Sequence, residues 1–149
     1  MRDTITIGTI AGLIGTIGMH ITNSILKSFG IVKITTLQIA SSLFLNWDQI
    51  DTIYGQLVGY INHFFIGAIV GVVIAFVYKF TGKDFFLVKG LGITGLSYLA
   101  ALGFITPLLK SVPQIRNDPS SLFGHIIAYI VFALIASFII YRYSKLTTS

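Results

Sequence analysis

The side chains whose chemistry stands out in this 149-residue sequence belong to three histidines. His20, His63 and His125 each lie inside a long apolar run, and His63 follows Asn62 in the stretch GYINHFFIG (59–67). Imidazole nitrogens bind transition metals, form hydrogen bonds between helices and exchange protons near neutral pH. Polar rings inside apolar segments are therefore the first place to look for a function.

The positions of the histidines within the apolar runs place the three rings at one depth. A helix rises 1.5 Å per residue, so His20 lies roughly 10 Å before Lys27, and His125 lies roughly 10 Å after Pro119. His63 is at a similar distance from the start of the apolar part of its run. The sequence thus predicts one histidine-lined pocket near one face of a bilayer.

Several chemistries fit such a pocket, and the sequence leaves them open. Three imidazoles from three helices match the three-ligand pattern of zinc and also suit other transition metals. Two of the rings are alternatively axial ligands of a b-type haem. The same rings suit plain interhelical hydrogen bonds, a proton relay or a site for a quinone headgroup.

Polar and small residues around the histidines predict how the pocket is built. Asn23, Asn62 and Tyr129 are the expected hydrogen-bond partners that orient the metal-binding His20, His63 and His125. Around His63, small residues recur at every fourth position, in a pattern that lets another helix approach closely. The predicted packing residues are Gly55, Gly59, Gly67 and Gly71.

The elements that position these side chains are four apolar segments. Each is long enough to cross the roughly 30 Å hydrocarbon layer of a bilayer, which takes about 20 helical residues. They cover residues 4–26, 52–80, 88–109 and 119–143. Only 10% of the residues are charged, against about 25% in soluble domains. Because backbone groups in lipid must be paired internally, the sequence predicts an all-α integral membrane four-helix bundle.

The remaining segments predict one compact domain over residues 1–149. Residues 33–49 are too weakly apolar to cross a bilayer, which favours an additional interfacial amphipathic helix between the first two spans, or else a re-entrant hairpin. Basic residues near the span ends divide six against four, which favours both termini on the cytoplasmic side of the cell membrane. The larger set is Arg2, Lys79, Lys83, Lys89, Arg142 and Lys145; the smaller is Lys27, Lys33, Lys110 and Arg116.

The expected partners are the lipid bilayer and either further copies of the chain or other membrane subunits. The net charge of +5 comes from loop residues that face lipid headgroups, so nucleic acid is not an expected partner. The usual groups for hydrolytic catalysis have no counterpart within the spans. Two other functions remain open: an assembly subunit whose glycines pack against a partner helix, and an oligomeric transporter or channel.

The order of these elements resembles that of small four-span prokaryotic inner-membrane proteins of the YagU and YqhR type. The features in common are a glycine-rich first span that carries a histidine in GLIGTIGMH, the spacing of His63 and Gly67, the Lys89–Gly90 pair, and His125 early in the fourth span. The resemblance implies four helices in the inner membrane and no particular activity.

Overall fold

The computed structural model describes residues 3–144, and over this range the chain is helical and has no strand. Four helices in the described range are long and apolar enough to cross a membrane. They are α1 (Thr4–Ser28), α3 (Ile53–Thr81), a third long helix (Phe86–Leu109) and α6 (Pro119–Tyr143). The third long helix comprises α4 (Phe86–Tyr98), a π-helical segment (Leu99–Ile105) and α5 (Thr106–Leu109). The short helix α2 (Thr36–Ser42) joins the first two long helices, together with a 3₁₀ turn at Trp47–Gln49.

The long helices begin at residues whose side chains satisfy free backbone N–H groups. The carboxylate of Asp3 accepts hydrogen bonds from the N–H groups of Ile5 and Thr6 at the start of α1. The Thr52 hydroxyl accepts one from Gly55 at the start of α3, and Asp118 accepts one from Ser121 at the start of α6. Such caps fix where a helix begins. The observed bounds of the four long helices lie within a few residues of the predicted spans.

The four long helices form a ring in the order α1, α3, third long helix, α6. Extensive contacts join α1 to both α3 and α6, and α4 packs against α6. The contact between α3 and α4 is much thinner. One side of the ring is therefore loosely packed, and this is the side on which the candidate site lies.

Glycines bring α1 and α3 into backbone contact. A Cβ atom placed on Gly12 would lie 2.1 Å from the Gly67 carbonyl oxygen, and one on Gly71 would lie 2.2 Å from the Gly8 carbonyl oxygen. These distances are too short for any side chain, so both helices need glycine here. Gly67 and Gly71 are thus covered by the chain's own first helix, and Gly55 and Gly59 are covered by residues that precede α3, so the glycine stripe of α3 is not open to a partner helix.

The segment between α1 and α3, where an interfacial helix is predicted over residues 33–49, contains the seven-residue α2 and the 3₁₀ turn at Trp47–Gln49. The helix α2 packs mainly on α3, and its placement at a membrane surface stays a prediction. The Thr35 and Gln38 side chains form a reciprocal cap at its start, and the Ser41 hydroxyl donates a hydrogen bond of 2.7 Å to the Gly55 carbonyl. The segment is therefore part of the bundle, where it closes one end of the loosely packed side.

The basic residues used to predict orientation lie at two ends of the bundle. Lys83 donates hydrogen bonds to the carbonyls of Tyr141 and Ser144 at the end of α6. At the opposite end, the Lys33 ammonium lies 3.9 Å from the Asp118 carboxylate. Arg2 and Lys145, which decide the predicted count, lie outside the described residues. The orientation of the termini stays a prediction.

Candidate functional site

His20 of α1 and His63 of α3 are in direct contact. The Nε2 atom of His20 lies 3.0 Å from the Nδ1 atom of His63, and the two rings meet edge to face with centroids 4.7 Å apart. Phe64 and Tyr60 of α3 also lie beside the His20 ring, at centroid distances of 5.7 and 5.2 Å. Two of the three histidines that the sequence predicts to lie together are therefore neighbours in the structure.

The contact has the geometry of one hydrogen bond between two imidazoles. A neutral imidazole has one N–H group and one acceptor nitrogen. In this hydrogen bond one of the two facing nitrogens carries the proton, and the other accepts it. His63 is 7% exposed, and its Nε2 atom makes no hydrogen bond within the described part of the chain. That nitrogen remains free to donate or to accept a hydrogen bond, according to the tautomer that the contact with His20 selects.

A cleft of about 240 Å³ opens beside His63, between α3 and the third long helix. Four elements line it, and most of the lining is apolar. The lining includes Thr36 and Ala40 of α2, His63 and Val70 of α3, Ser97 and Ala101 of the third long helix, and Tyr129 of α6. An apolar cleft with a few convergent polar groups is the usual form of a small-molecule site.

The cleft exists because small side chains and a change of helix type lie opposite α3. Ser97, Ala100 and Ala101 line the wall of the third long helix, so the helix leaves space where larger residues would fill it. The π-helical turns of residues 99–105 lie in the same wall, and π-helical turns occur frequently at functional sites.

Pro107 accounts for the π-helical turns, and the sequence shows this residue plainly. A proline inside a helix removes a backbone N–H and clashes with the carbonyl four residues earlier, which disturbs the preceding turn. The Thr106 hydroxyl donates a hydrogen bond of 2.7 Å to the Ala101 carbonyl, which also accepts one from the Thr106 backbone N–H. The predicted span over residues 88–109 contains Pro107 near its end, and that prediction includes no effect of the proline on the helix.

His125 of α6 makes no hydrogen bond or ring contact with the histidine pair in the described part of the chain. Its side chain is fully buried, and neither ring nitrogen makes a hydrogen bond within the described residues. Among the described residues, no group of three histidine, cysteine, aspartate or glutamate side chains is placed to hold a metal ion. The structure thus brings together two of the three predicted ligands.

The predicted orienting residues have separate roles. The Asn23 amide donates to the Met19 carbonyl at 3.2 Å and to the Thr36 hydroxyl at 3.3 Å, and not to a histidine. The Asn62 amide nitrogen is buried without a hydrogen-bond partner. Tyr129 lines the cleft opposite α3 and packs edge to face on Tyr98 at a centroid distance of 5.3 Å. Of the three, Tyr129 is the one that belongs to the cleft.

Comparisons of the chain with protein-family models, curated proteins and solved structures gave no match. The resemblance to YagU- and YqhR-type proteins stays a prediction. The functional argument therefore rests on the histidine pair and the cleft.

Proposed function

We propose that the chain is a multi-pass protein of the cell membrane that binds a small, largely apolar ligand in the cleft beside His63. The placement in a membrane is supported by the four apolar helices and by the large apolar side chains exposed on their outer faces. A soluble protein rarely exposes apolar patches of this extent.

The observation that carries the proposal is the position of His63 between two kinds of surroundings. Its Nδ1 atom is held by His20, while its side chain lines a mostly apolar cleft. The ligand that fits is an apolar molecule with one hydrogen-bonding group, such as a carbonyl or hydroxyl, that meets Nε2 of His63. His20 then acts as a positioning residue that fixes the His63 ring and its tautomer.

The geometry favours this ligand over a haem or a metal ion. Axial ligands of a haem lie on opposite sides of the porphyrin, whereas the His20 and His63 nitrogens are only 3.0 Å apart and leave no room for one. A metal ion bound to this pair alone would have fewer protein ligands than the three or four that zinc takes.

The alternative of an assembly subunit has less support from the packing. The glycines expected to receive a partner helix are already covered by α1 and by the residues before α3. A transport function is a weaker candidate as well, because the cleft lies between two neighbouring helices at the side of the ring and has no ionised side chain among its lining residues.

Titration calorimetry with benzophenone tests the proposal, because this probe combines two apolar rings with one carbonyl oxygen. The purified protein in a neutral detergent should bind one benzophenone per chain. His63→Leu removes the hydrogen bond and keeps an apolar wall, so affinity should fall by about tenfold or less.

Filling the cleft supplies the sharper comparison. Ala101→Phe places a ring in the cleft and should abolish binding, whereas Leu99→Phe on the same helix changes a side chain that is 60% exposed on the outer face and should bind as the wild type does. Equal heats of binding for the Ala101→Phe variant and the wild type would contradict the proposal.

A further inference from the structure

A second cavity, of about 260 Å³, lies where the third long helix ends. Its walls combine apolar side chains with two basic ones. The apolar part comes from Pro107, Val112 and Ile115, and the basic part from Lys110 and Arg116. This cavity is separate from the His63 cleft, with which it shares only Thr106.

The two basic side chains are available to a ligand. Neither Lys110 nor Arg116 forms an ion pair or a side-chain hydrogen bond within the described residues. The nearest acid in the sequence, Asp118, is already engaged: its carboxylate accepts hydrogen bonds from Ser120 and Ser121 and lies 3.9 Å from Lys33. The cavity therefore presents two cationic groups and contains no carboxylate among its lining residues.

The backbone holds these two groups at the end of the helix. Lys110 has a positive φ of 52° and ends α5, after which the chain turns through the short 3₁₀ segment Pro113–Asn117 that carries Arg116. Val112 and Ile115, which are buried, pack with Leu102 in a small apolar cluster. The turn is thus anchored from beneath, and its basic side chains remain at the surface.

We propose that this cavity binds a phosphate group, and that the source of the phosphate is an anionic phospholipid of the surrounding bilayer. This inference goes beyond the ligand proposed for the His63 cleft and depends only on the proposed membrane placement. Arginine and lysine both bind phosphate oxygens through charge-assisted hydrogen bonds. The apolar walls suit the glycerol and the first carbons of the acyl chains, and basic pockets between membrane helices bind anionic lipid headgroups.

The test compares three probes on the full chain in a neutral detergent: dihexanoyl phosphatidylglycerol, dihexanoylglycerol and inorganic phosphate. The readout is the midpoint of thermal unfolding as a function of probe concentration, because a ligand that binds only the folded state raises that midpoint. Phosphatidylglycerol should raise the midpoint at concentrations where dihexanoylglycerol, which has the same chains and no phosphate, has no effect.

A double variant, Lys110→Gln with Arg116→Gln, should need about tenfold more phosphatidylglycerol for the same shift. Lys27→Gln is the matched control, because Lys27 is an exposed lysine at the same end of the bundle and does not line the cavity. Benzophenone binding should be unchanged in the double variant, so failure of this site and failure of the His63 cleft are separable.

The outcomes divide clearly. Stabilisation by inorganic phosphate alone, lost in the double variant, supports the phosphate site and assigns its ligand to the soluble pool. An equal response to dihexanoylglycerol and phosphatidylglycerol would overturn the proposal, as would an unchanged response in the double variant. If the double variant fails to fold, the comparison of the two lipids on the wild type still decides between these results.

Discussion

The two sides of α3 are packed in opposite ways. On the side that faces α1, glycines allow backbone contact and leave no space for a single added carbon. On the side that faces the third long helix, small residues lie opposite α3 without such contact and leave the cleft. Small residues therefore do not determine packing by themselves, because the outcome depends on what the opposite helix supplies.

His63 lies where these two sides meet. It is the large member of the glycine stripe, and it spans from the His20 ring on α1 to the cleft beside the third long helix. The tight interface holds the imidazole in place, and the loose one leaves it accessible to a ligand. Changes on the tight side should affect stability, whereas changes on the loose side should affect binding.

The largest effect is expected from filling the tight interface. A Cβ on Gly71 would lie 2.2 Å from the Gly8 carbonyl oxygen and 2.7 Å from the Gly12 Cα atom, both of them backbone atoms. Gly71→Leu should therefore lower the free energy of unfolding by about 3 kcal/mol or more. The measurement is reversible unfolding in mixed micelles. The control is Gly92→Leu, where an added Cβ meets nothing within 4 Å; a comparable loss in that variant would refute the packing argument.

A side chain added on the loose side should have the opposite effect. Ala101→Leu extends into the cleft, so the free energy of unfolding should stay unchanged or rise by up to about 2 kcal/mol. The same unfolding assay measures it. A loss of stability as large as that of Gly71→Leu would mean that the cleft is filled by protein atoms in solution, and the contrast between the two sides would disappear.

The structural features that can be predicted from the sequence are the local ones. The helix bounds follow from apolar length and from caps such as Asp3 and Asp118, which act on their own turns. The meeting of His20 and His63 follows from the constant rise per residue of two long helices that pack side by side.

Other features depend on how two surfaces fit, and a sequence does not state this. The cleft results from the faces of α3 and the third long helix together, with Pro107 disturbing the turn before it. The short α2 is held by contacts with α3 rather than by its own pattern. His125 is a further example, because helical rise predicts the depth of a ring but not which neighbouring residues pack against it.

A moderate effect is expected from separating the two imidazoles. A double-mutant cycle with His20→Phe and His63→Leu isolates the interaction between the two rings from the effects of each change alone. Hydrogen bonds between membrane helices contribute about 0.6 kcal/mol on average and at most about 1.7 kcal/mol, so the coupling free energy should lie in this range. A coupling of zero would show that the rings do not interact in the folded protein.

The smallest effect is a loss of stability in acid, and it involves Asp118 at the end of the bundle away from the glycine interface. The hydroxyls of Ser120 and Ser121 hold the pKa of Asp118 below its usual value, and Lys33 acts in the same direction. Because the folded-state pKa is lowered, this contribution to stability is present above about pH 4, near the unfolded pKa, and is lost as the pH falls through the folded-state pKa.

The Asp118→Asn variant should therefore lose less stability than the wild type between about pH 4 and pH 2. Part of the acid sensitivity should remain, because hydrogen bonds from Thr6 and Ile5 likewise lower the pKa of Asp3. Unfolding midpoints measured across this pH range check the prediction, and identical acid curves for the two proteins would exclude a role for the Asp118 cap.

The most direct test of the central claim is to map where benzophenone reacts after irradiation of the protein in membranes. Mass spectrometry of the labelled peptides should place the saturable adducts on the walls of the cleft, in residues 63–70 of α3 and 97–106 of the third long helix. The Ala101→Phe change should remove them. Adducts spread over outer-face residues such as Leu96 and Phe138, with none that saturate near His63, would contradict the account.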